Sequence, residues 1–488
     1  MSVTFPLPAW FSRYRASLRL AAGALSRRGR MAGSVFFAGG AALLPPGPLA
    51  AQVTQKPAIT VSDGDTLKPG PGLAIPVAAE IDLGTLLLRP HALPAGLSLA
   101  AEFGLIVNSP MLVSRLFYQA GVRADCARVV KTPAGDYLAV IAAGSGHYAP
   151  RGGAFLEKRN DLVALRSSDR GKTWRGPSVL FPVPYSMHGF VPLIPRGGKR
   201  IYGFGTEPIP AEREDRENAP IAFRFSDDDG HTWSAPTVIR PANDPGFKAM
   251  AVMQMTETAS GAWLIGAHEA RWDPGSEDYA RWVHQRIGML HTRQYLLRSE
   301  DRGKTWMVLP GARPNGWFVP EFDRMDEARP LALDAGRVLT LIRTAQGHLW
   351  ATWSADDGKT WTAPAATPIV QPDAPPMLFK LADGKTLVVF HHNTYDAAIP
   401  HAPNATRNQL WSTLSRDEGY TWSEPRFVMA TAGSSRTAQI PYVDLLAEAG
   451  ELHLFVTYAW KQTLQVDFTE SALRRFPTRA ELLRWVAR

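Results

Sequence analysis

The chain has 488 residues, 45% of them apolar and 20% charged, which allows a large buried core and excludes a disordered or collagen-like chain. Gly 41 and Pro 40 call for many turns, and a single cysteine, Cys126, excludes an intramolecular disulfide framework or a zinc site built on several thiolates. The net charge of +8 leaves two partner classes, nucleic acid or an acidic small molecule or glycan. Six of the arginines (Arg13, Arg15, Arg19, Arg27, Arg28, Arg30) precede residue 31, and no run of five Lys/Arg occurs anywhere, so nucleic acid is set aside and an acidic ligand kept.

Residues 31–44 are a short apolar stretch behind Arg27, Arg28 and Arg30 and ahead of the small-residue run 48–52. That order reads as a secretory signal peptide over 1–51, with cleavage near Ala50 or Ala51 and a periplasmic or secreted product. Ser26-Arg27-Arg28 loosely resembles a twin-arginine signal, and a start at Met31 is the alternative reading of the same stretch. The run is too short to span a bilayer, so no membrane association is expected after processing. Residues 52–116 carry strand-like pieces such as Ala74–Ala78 and Thr85–Leu88, expected either to close a ring beside the carboxyl-terminal strands or to complete a further blade.

Five segments then share the form Ser-x-Asp-x-Gly-x-Thr-Trp, beginning at Ser167, Ser226, Ser299, Ser354 and Ser415, with spacings of 59, 73, 55 and 61 residues. This is about the length of one four-stranded propeller blade plus a loop. In each copy the Asp is expected to accept turn amides, the Gly to take a positive φ, the Ser to support the turn and the Trp to close the core beneath it. Segments 161–166 and 349–353 before two of the copies have strand composition, and residues 440–460 read as two strands of a blade without a box. The expectation is an all-β protein, a β-propeller of six or seven four-stranded antiparallel blades over 117–467. Residues 468–488, with helical spacing, are expected to cap it.

These motifs resemble the Asp boxes (BNR repeats) of the sialidase superfamily, which implies that the box aspartates Asp169, Asp228, Asp301, Asp356 and Asp417 are scaffold rather than catalytic. A sialidase uses an arginine triad for the substrate carboxylate, a Tyr nucleophile activated by Glu, and an Asp acid/base. Met325–Pro330, leading to Leu341-Ile342-Arg343, resembles the blade that supplies the Glu and one triad arginine, which would be Glu327 and Arg343. Pro441-Tyr442-Val443-Asp444-Leu445 resembles the strand bearing the tyrosine, here Tyr442. The family's opening arginine is not at its expected place, where Ala124–Arg128 stand, with Arg123 and Arg128 as neighbours.

The chain also resembles a second group of boxed propellers, lyases acting on ulvan and on rhamnose-capped glucuronate and related rhamnosidases, through 187–195, 200–208, 216–221, 323–327 and 391–393. Elimination beside a uronate needs a cation on the carboxylate, a base for H5 and an acid at O4. The resemblance implies Arg216 as neutraliser, Tyr202 as base or acid, and His147 and His188 as partner base and orienting groups. Arg324, Glu327, Arg329, Arg343, His392 and Tyr442 are expected to bind substrate, although Arg324, Asp326, Glu327 and Arg329 also suit a buried ion-pair network. No cofactor or catalytic metal is required, and a structural calcium or zinc is left open.

The expectation is therefore an exported, monomeric carbohydrate-active enzyme that cleaves an acidic, uronate-containing oligo- or polysaccharide by elimination or glycosidic cleavage at a rhamnose/uronate linkage. An exo-sialidase type of glycoside hydrolase and a non-catalytic propeller that binds acidic glycans are the alternatives.

Overall fold

A computed structural model describes residues 83–88, 93–144, 160–183, 189–207, 209, 218–272, 290–319, 324–395, 407–433 and 438–486. A short helix, Leu83–Leu87, comes first, where a strand-like piece was expected at Thr85–Leu88, and three strands follow, β1 (Leu97–Ala100), β2 (Leu105–Asn108) and β3 (Leu112–Tyr118). Blade I follows as β4 (Arg123–Lys131), β5 (Tyr137–Gly144), β6 (Asn160–Ser167) and β7 (Arg175–Val183), and blade II as β8 (Val191–Leu193), β9 (Ile201–Thr206), β10 (Ile221–Ser226) and β11 (Thr237–Val238). Blade III comprises β12 (Ala251–Glu257), β13 (Trp263–Trp272), β14 (Leu290–Ser299) and β15 (Met307–Leu309), and blade IV β16 (Met325–Ala332), β17 (Val338–Thr344), β18 (His348–Ser354) and β19 (Ala365–Val370). Blade V holds β20 (Met377–Lys380), β21 (Leu387–His391), β22 (Gln409–Ser415) and β23 (Arg426–Thr431), and blade VI β24 (Val443–Glu448), β25 (Glu451–Tyr458) and β26 (Gln462–Thr469).

All blades are antiparallel meanders, and the described residues form six of them, which resolves the expected six or seven to six. The outermost strand of blade VI is β3, paired with β26, so the first and last parts of the ring share one sheet and no edge is left at the seam. Strands β2 and β1 extend blade V outward to a sheet of six. The helix Arg479–Val486 packs Leu482 and Trp485 against Leu97, Ile106, Trp411 and Phe427 of that extended blade.

Each box is the hairpin between the third and fourth strands of its blade. In blade IV Asp356 accepts the Thr360 amide at 2.8 Å and its hydroxyl at 2.6 Å, while the Ser354 hydroxyl accepts the Gly358 amide at 2.8 Å. The carboxylates are held low by these donors, Asp169 at about 2 chiefly through the Thr173 hydroxyl. The residue before each box glycine is also left-handed, with φ of 61° at Arg170, 56° at Asp229 and Arg302, 66° at Asp357 and 65° at Glu418. The consensus, which leaves that position open, gave no sign of it.

The boxes also join blades. A Cβ on Gly230 would stand 2.7 Å from Leu138, one on Gly358 2.5 Å from Leu264 and one on Gly419 2.6 Å from Leu339, and each leucine belongs to the preceding blade. The boxes of blades II, IV and V therefore each seat their glycine on a buried leucine one blade back, a contact with no room for a methyl group, whereas Gly303 of blade III faces Trp263 of its own blade.

Candidate functional site

Strand register places the site. Lys131 at the end of β4 pairs with Tyr137, and Tyr137 with Ser167 of the first box. The innermost strands, β4, β8, β12, β16, β20 and β24, thus end at the box pole and begin at the far pole. Those strands pack on one another around the central axis. At their far-pole ends β4, β12 and β16 each carry an irregularity of register, between Asp125 and Arg128, Val252 and Met255, and Asp326 and Arg329.

Two of these bulges repeat one sequence, Asp125-Cys126-Ala127-Arg128 and Asp326-Glu327-Ala328-Arg329, with φ of 44° at Cys126 and 51° at Glu327. Left-handed backbone at a non-glycine costs on the order of 1–3 kcal/mol and persists only where surroundings enforce it. The enforcement is visible. The Cys126 amide donates to Thr457 Oγ1 at 3.1 Å, the Glu327 amide points at His268 Nδ1 at 3.4 Å, and the Ala328 amide donates to Gln294 Oε1 at 2.9 Å. Gly266 of β13 makes the space, because a Cβ there would stand 2.0 Å from the Ala328 carbonyl oxygen. A bulge re-aims the side chain it carries.

Glu327 is aimed at Tyr442, which lies just before β24. The Tyr442 hydroxyl donates to Glu327 Oε1 at 2.8 Å, and Arg343 Nη1 donates to Oε2 at 2.7 Å. Burial, followed by the Glu327 charge, pushes the Tyr442 phenol well above its ordinary range. Arg343, at the end of β17 opposite Asp326, donates from Nε to Asp373 at 2.7 Å and stands 3.1 Å from Asp326. Arg324 stands 3.2 Å from Asp326 and 3.1 Å from Asp373. Arg407 donates Nη2 to the Asp373 carbonyl at 2.7 Å and lies 6.0 Å over the Tyr442 ring, with Nε lacking a partner among the described residues. Cys126 and Met253 pack against Tyr442 with Trp460 beside them. Burial first, then Asp125, raises the Cys126 thiol, so it stays protonated and serves as apolar packing.

The structure therefore brings together Arg324, Glu327, Arg343 and Tyr442 of the residues expected to bind substrate. Arg329 lies one layer toward the box pole, where β16 pairs it with Leu341. His392 is buried in blade V with Nδ1 at 2.8 Å from the Gln409 carbonyl, and burial holds its imidazole at about 3. Tyr202 is not brought to this cluster. It is the second residue of β9, one step from Ile201, which pairs with box residue Ser226, so it sits at the box pole. Its ring packs 4.9 Å from Trp263 and 5.8 Å from Phe223 between blades, apart from the Tyr442–Glu327 cluster. His147, His188 and Arg216 lie outside the described residues.

The ion-pair network expected of Arg324, Asp326 and Glu327 is present in part, with Arg324 on Asp326, whereas sequence reasoning missed Asp373 as a partner of the arginines, and Arg407 altogether. Arg407 carries no motif, and its only sequence signal is a lone arginine shortly before the last boxed strand. Among the described residues no group of three or more His, Cys, Asp or Glu is placed to hold a metal ion, and no helix among them is long and apolar enough to cross a membrane.

Comparison with known proteins bears on the fold. A xyloglucanase from Paenibacillus sp is 24% identical over 204 residues, 39% of this chain and 17% of that protein, so the chain spans only a small part of that relative. Among solved structures, the Hadza microbial sialidase Hz136 superposes with a TM-score of 0.51 at 16% identity, covering 72% of this chain and 66% of that one. The NanB sialidase from Streptococcus pneumoniae gives a TM-score of 0.52 at 12% identity, with 75% and 71% covered. A protein of unknown function from Dyadobacter fermentans gives 0.51 at 16%, with 74% and 99% covered. The BNR repeat-like domain matches residues 207–468, more than half of the chain. The chain accordingly belongs to the BNR repeat-like domain family, and its fold is a six-bladed β-propeller.

Proposed function

We propose that this protein is a glycoside hydrolase that cleaves the bond to an acidic sugar, with Tyr442 as nucleophile and Glu327 as its base. The observation that carries this reading is the 2.8 Å hydrogen bond from the Tyr442 hydroxyl to Glu327, in a buried setting with Arg343 fixing the other carboxylate oxygen. A phenol kept neutral by burial does not repel an anionic substrate as a carboxylate nucleophile would. As its oxygen bonds to the anomeric carbon, its proton passes to Glu327. The bond to the leaving oxygen breaks as this bond forms, and the acid that protonates that oxygen comes from outside this cluster.

The preference for an acidic sugar rests on the arginines. Arg324 and Arg343 are engaged by Asp326 and Asp373, whereas Arg407 meets the Asp373 carbonyl and the Tyr442 ring and has no carboxylate partner among the described residues, which leaves it to receive a substrate carboxylate. The sialidases and the xyloglucanase named above support glycoside cleavage in general. Hydrolysis is preferred to elimination because the buried Tyr442–Glu327 pair suits attack by an activated hydroxyl at the anomeric carbon. A uronate remains one of the acidic sugars to test. The amino-terminal segment supports action in the periplasm or outside the cell, on an acidic oligo- or polysaccharide, as a monomer.

The experiment is turnover of fluorogenic glycosides of sialic acid and of uronic acids by the wild type, Tyr442→Phe and Glu327→Gln, alongside absorbance of unsaturated uronate on ulvan and gum arabic. Release of free sugar that both substitutions abolish supports the reading. Growth of the unsaturated product identifies a lyase and overturns it, and binding without turnover identifies a glycan-binding propeller and overturns it as well.

A further inference from the structure

Below the Tyr442–Glu327 pair the channel holds a second concentration of buried charge. Arg329 is 1% exposed, and among the described residues neither Nε nor Nη2 has a hydrogen-bond partner. Its guanidinium lies 5.7 Å over the Phe379 ring, a contact that offsets little of the cost of burying a cation. Arg128 occupies the matching place past the blade I bulge. It sends Nη2 across the channel to the Met253 carbonyl at 3.2 Å and keeps Nη1 3.8 Å from Asp444. Asp444 also accepts the Val129 amide at 2.7 Å.

Two arginines thus face one aspartate in this layer, while above them Arg324 and Arg343 are shared among Asp326, Glu327 and Asp373. Burial, with Arg128 next, lowers the Arg329 guanidinium to about 9, which still leaves it protonated at neutral pH. Water could fill hydrogen bonds here but would leave the excess charge uncompensated.

We propose that this layer is a binding site for one small monovalent inorganic anion, of the size of chloride, held by Arg329 Nε and Nη2 and shared with Arg128. The site is structural and lies beneath the sugar-binding groups, so it does not depend on which glycan is cleaved. A ligand that binds the folded state alone raises stability by mass action and saturates.

Two measurements test this on the full chain. Crystals soaked in sodium bromide should show an anomalous peak against Arg329 Nε and Nη2, and a map with water there and no bromide signal overturns the proposal. The thermal midpoint should rise by a few degrees and level off as sodium chloride replaces sodium gluconate at constant ionic strength, with Arg329→Met losing that dependence. An unchanged wild-type midpoint, or the same rise in Arg329→Met, also overturns it. If Arg329→Met does not fold, the bromide soak of the wild type decides.

Discussion

Gly266→Ala is the substitution by which the fold and the site can be tested together. The added Cβ would stand 2.0 Å from the Ala328 carbonyl oxygen and 2.9 Å from its carbon, so the obstacle is backbone and has no rotamer to escape into. Ordinary contact requires the β16 bulge to move away by more than about 1 Å. Overpacking of this kind costs about 1–3 kcal/mol, and a misplacement of about 1 Å in a catalytic group can lower a rate about 100-fold. Glu327 is the residue that moves, because it precedes Ala328 in the same bulge. Gly358→Ala is the control: its Cβ meets buried Leu264 at 2.5 Å and its φ is +81°, so it should cost stability by a similar amount at the box pole. Urea unfolding and turnover of the glycoside identified for the wild type give both quantities. The reasoning predicts that both variants lose stability and that Gly266→Ala alone loses most of its rate per folded molecule. A Gly266→Ala protein with wild-type stability, or a folded one with wild-type rate, refutes it.

Further outcomes follow from the buried charges and histidines. Arg343→Met leaves Glu327, Asp326 and Asp373 with one fewer cation and should cost about 3–5 kcal/mol in urea unfolding, with Arg343→Lys intermediate. His391 and His392 are held neutral by burial, at about 4 and about 3, so the unfolded chain binds protons that the folded one refuses. Their contribution is full above about pH 6.5 and is lost as pH falls, at up to about 1.4 kcal/mol per pH unit for each imidazole. His392→Asn should therefore make the fall in stability between pH 6.5 and 5 shallower by about that slope, and an unchanged slope contradicts the assignment.

How much of this was legible in the sequence differs by level. The five boxes displayed the propeller because each box residue acts locally, within eight positions, and local turn chemistry survives in sequence. Tyr442, Glu327 and Arg343 were legible through the resemblance of their segments. The pole at which Tyr202 stands was not legible, because a tyrosine on a short strand reads alike whether the strand end faces one pole or the other, and only the pairing of Ile201 with Ser226 decides. The bulges at Cys126 and Glu327 share only the short pattern Asp-x-Ala-Arg, which does not by itself announce an extra residue in a strand. Alternation assigns Arg128 one parity, and the extra residue in β4 reverses it. Arg407, Asp326 and Asp373 come together from different strand ends across blades IV and V, a juxtaposition no spacing encodes.

The central claim is that Tyr442, relayed to Glu327, forms a covalent bond with the sugar. It is tested most directly by trapping with fluorinated sialic and uronic acid glycosyl fluorides, which form the intermediate and release it slowly, followed by mass mapping of proteolytic peptides. The account predicts a single sugar adduct on the peptide that carries Tyr442, absent in Tyr442→Phe and slow to form in Glu327→Gln. Turnover of the same sugar class with no adduct at Tyr442, or with the adduct on another residue, would contradict it.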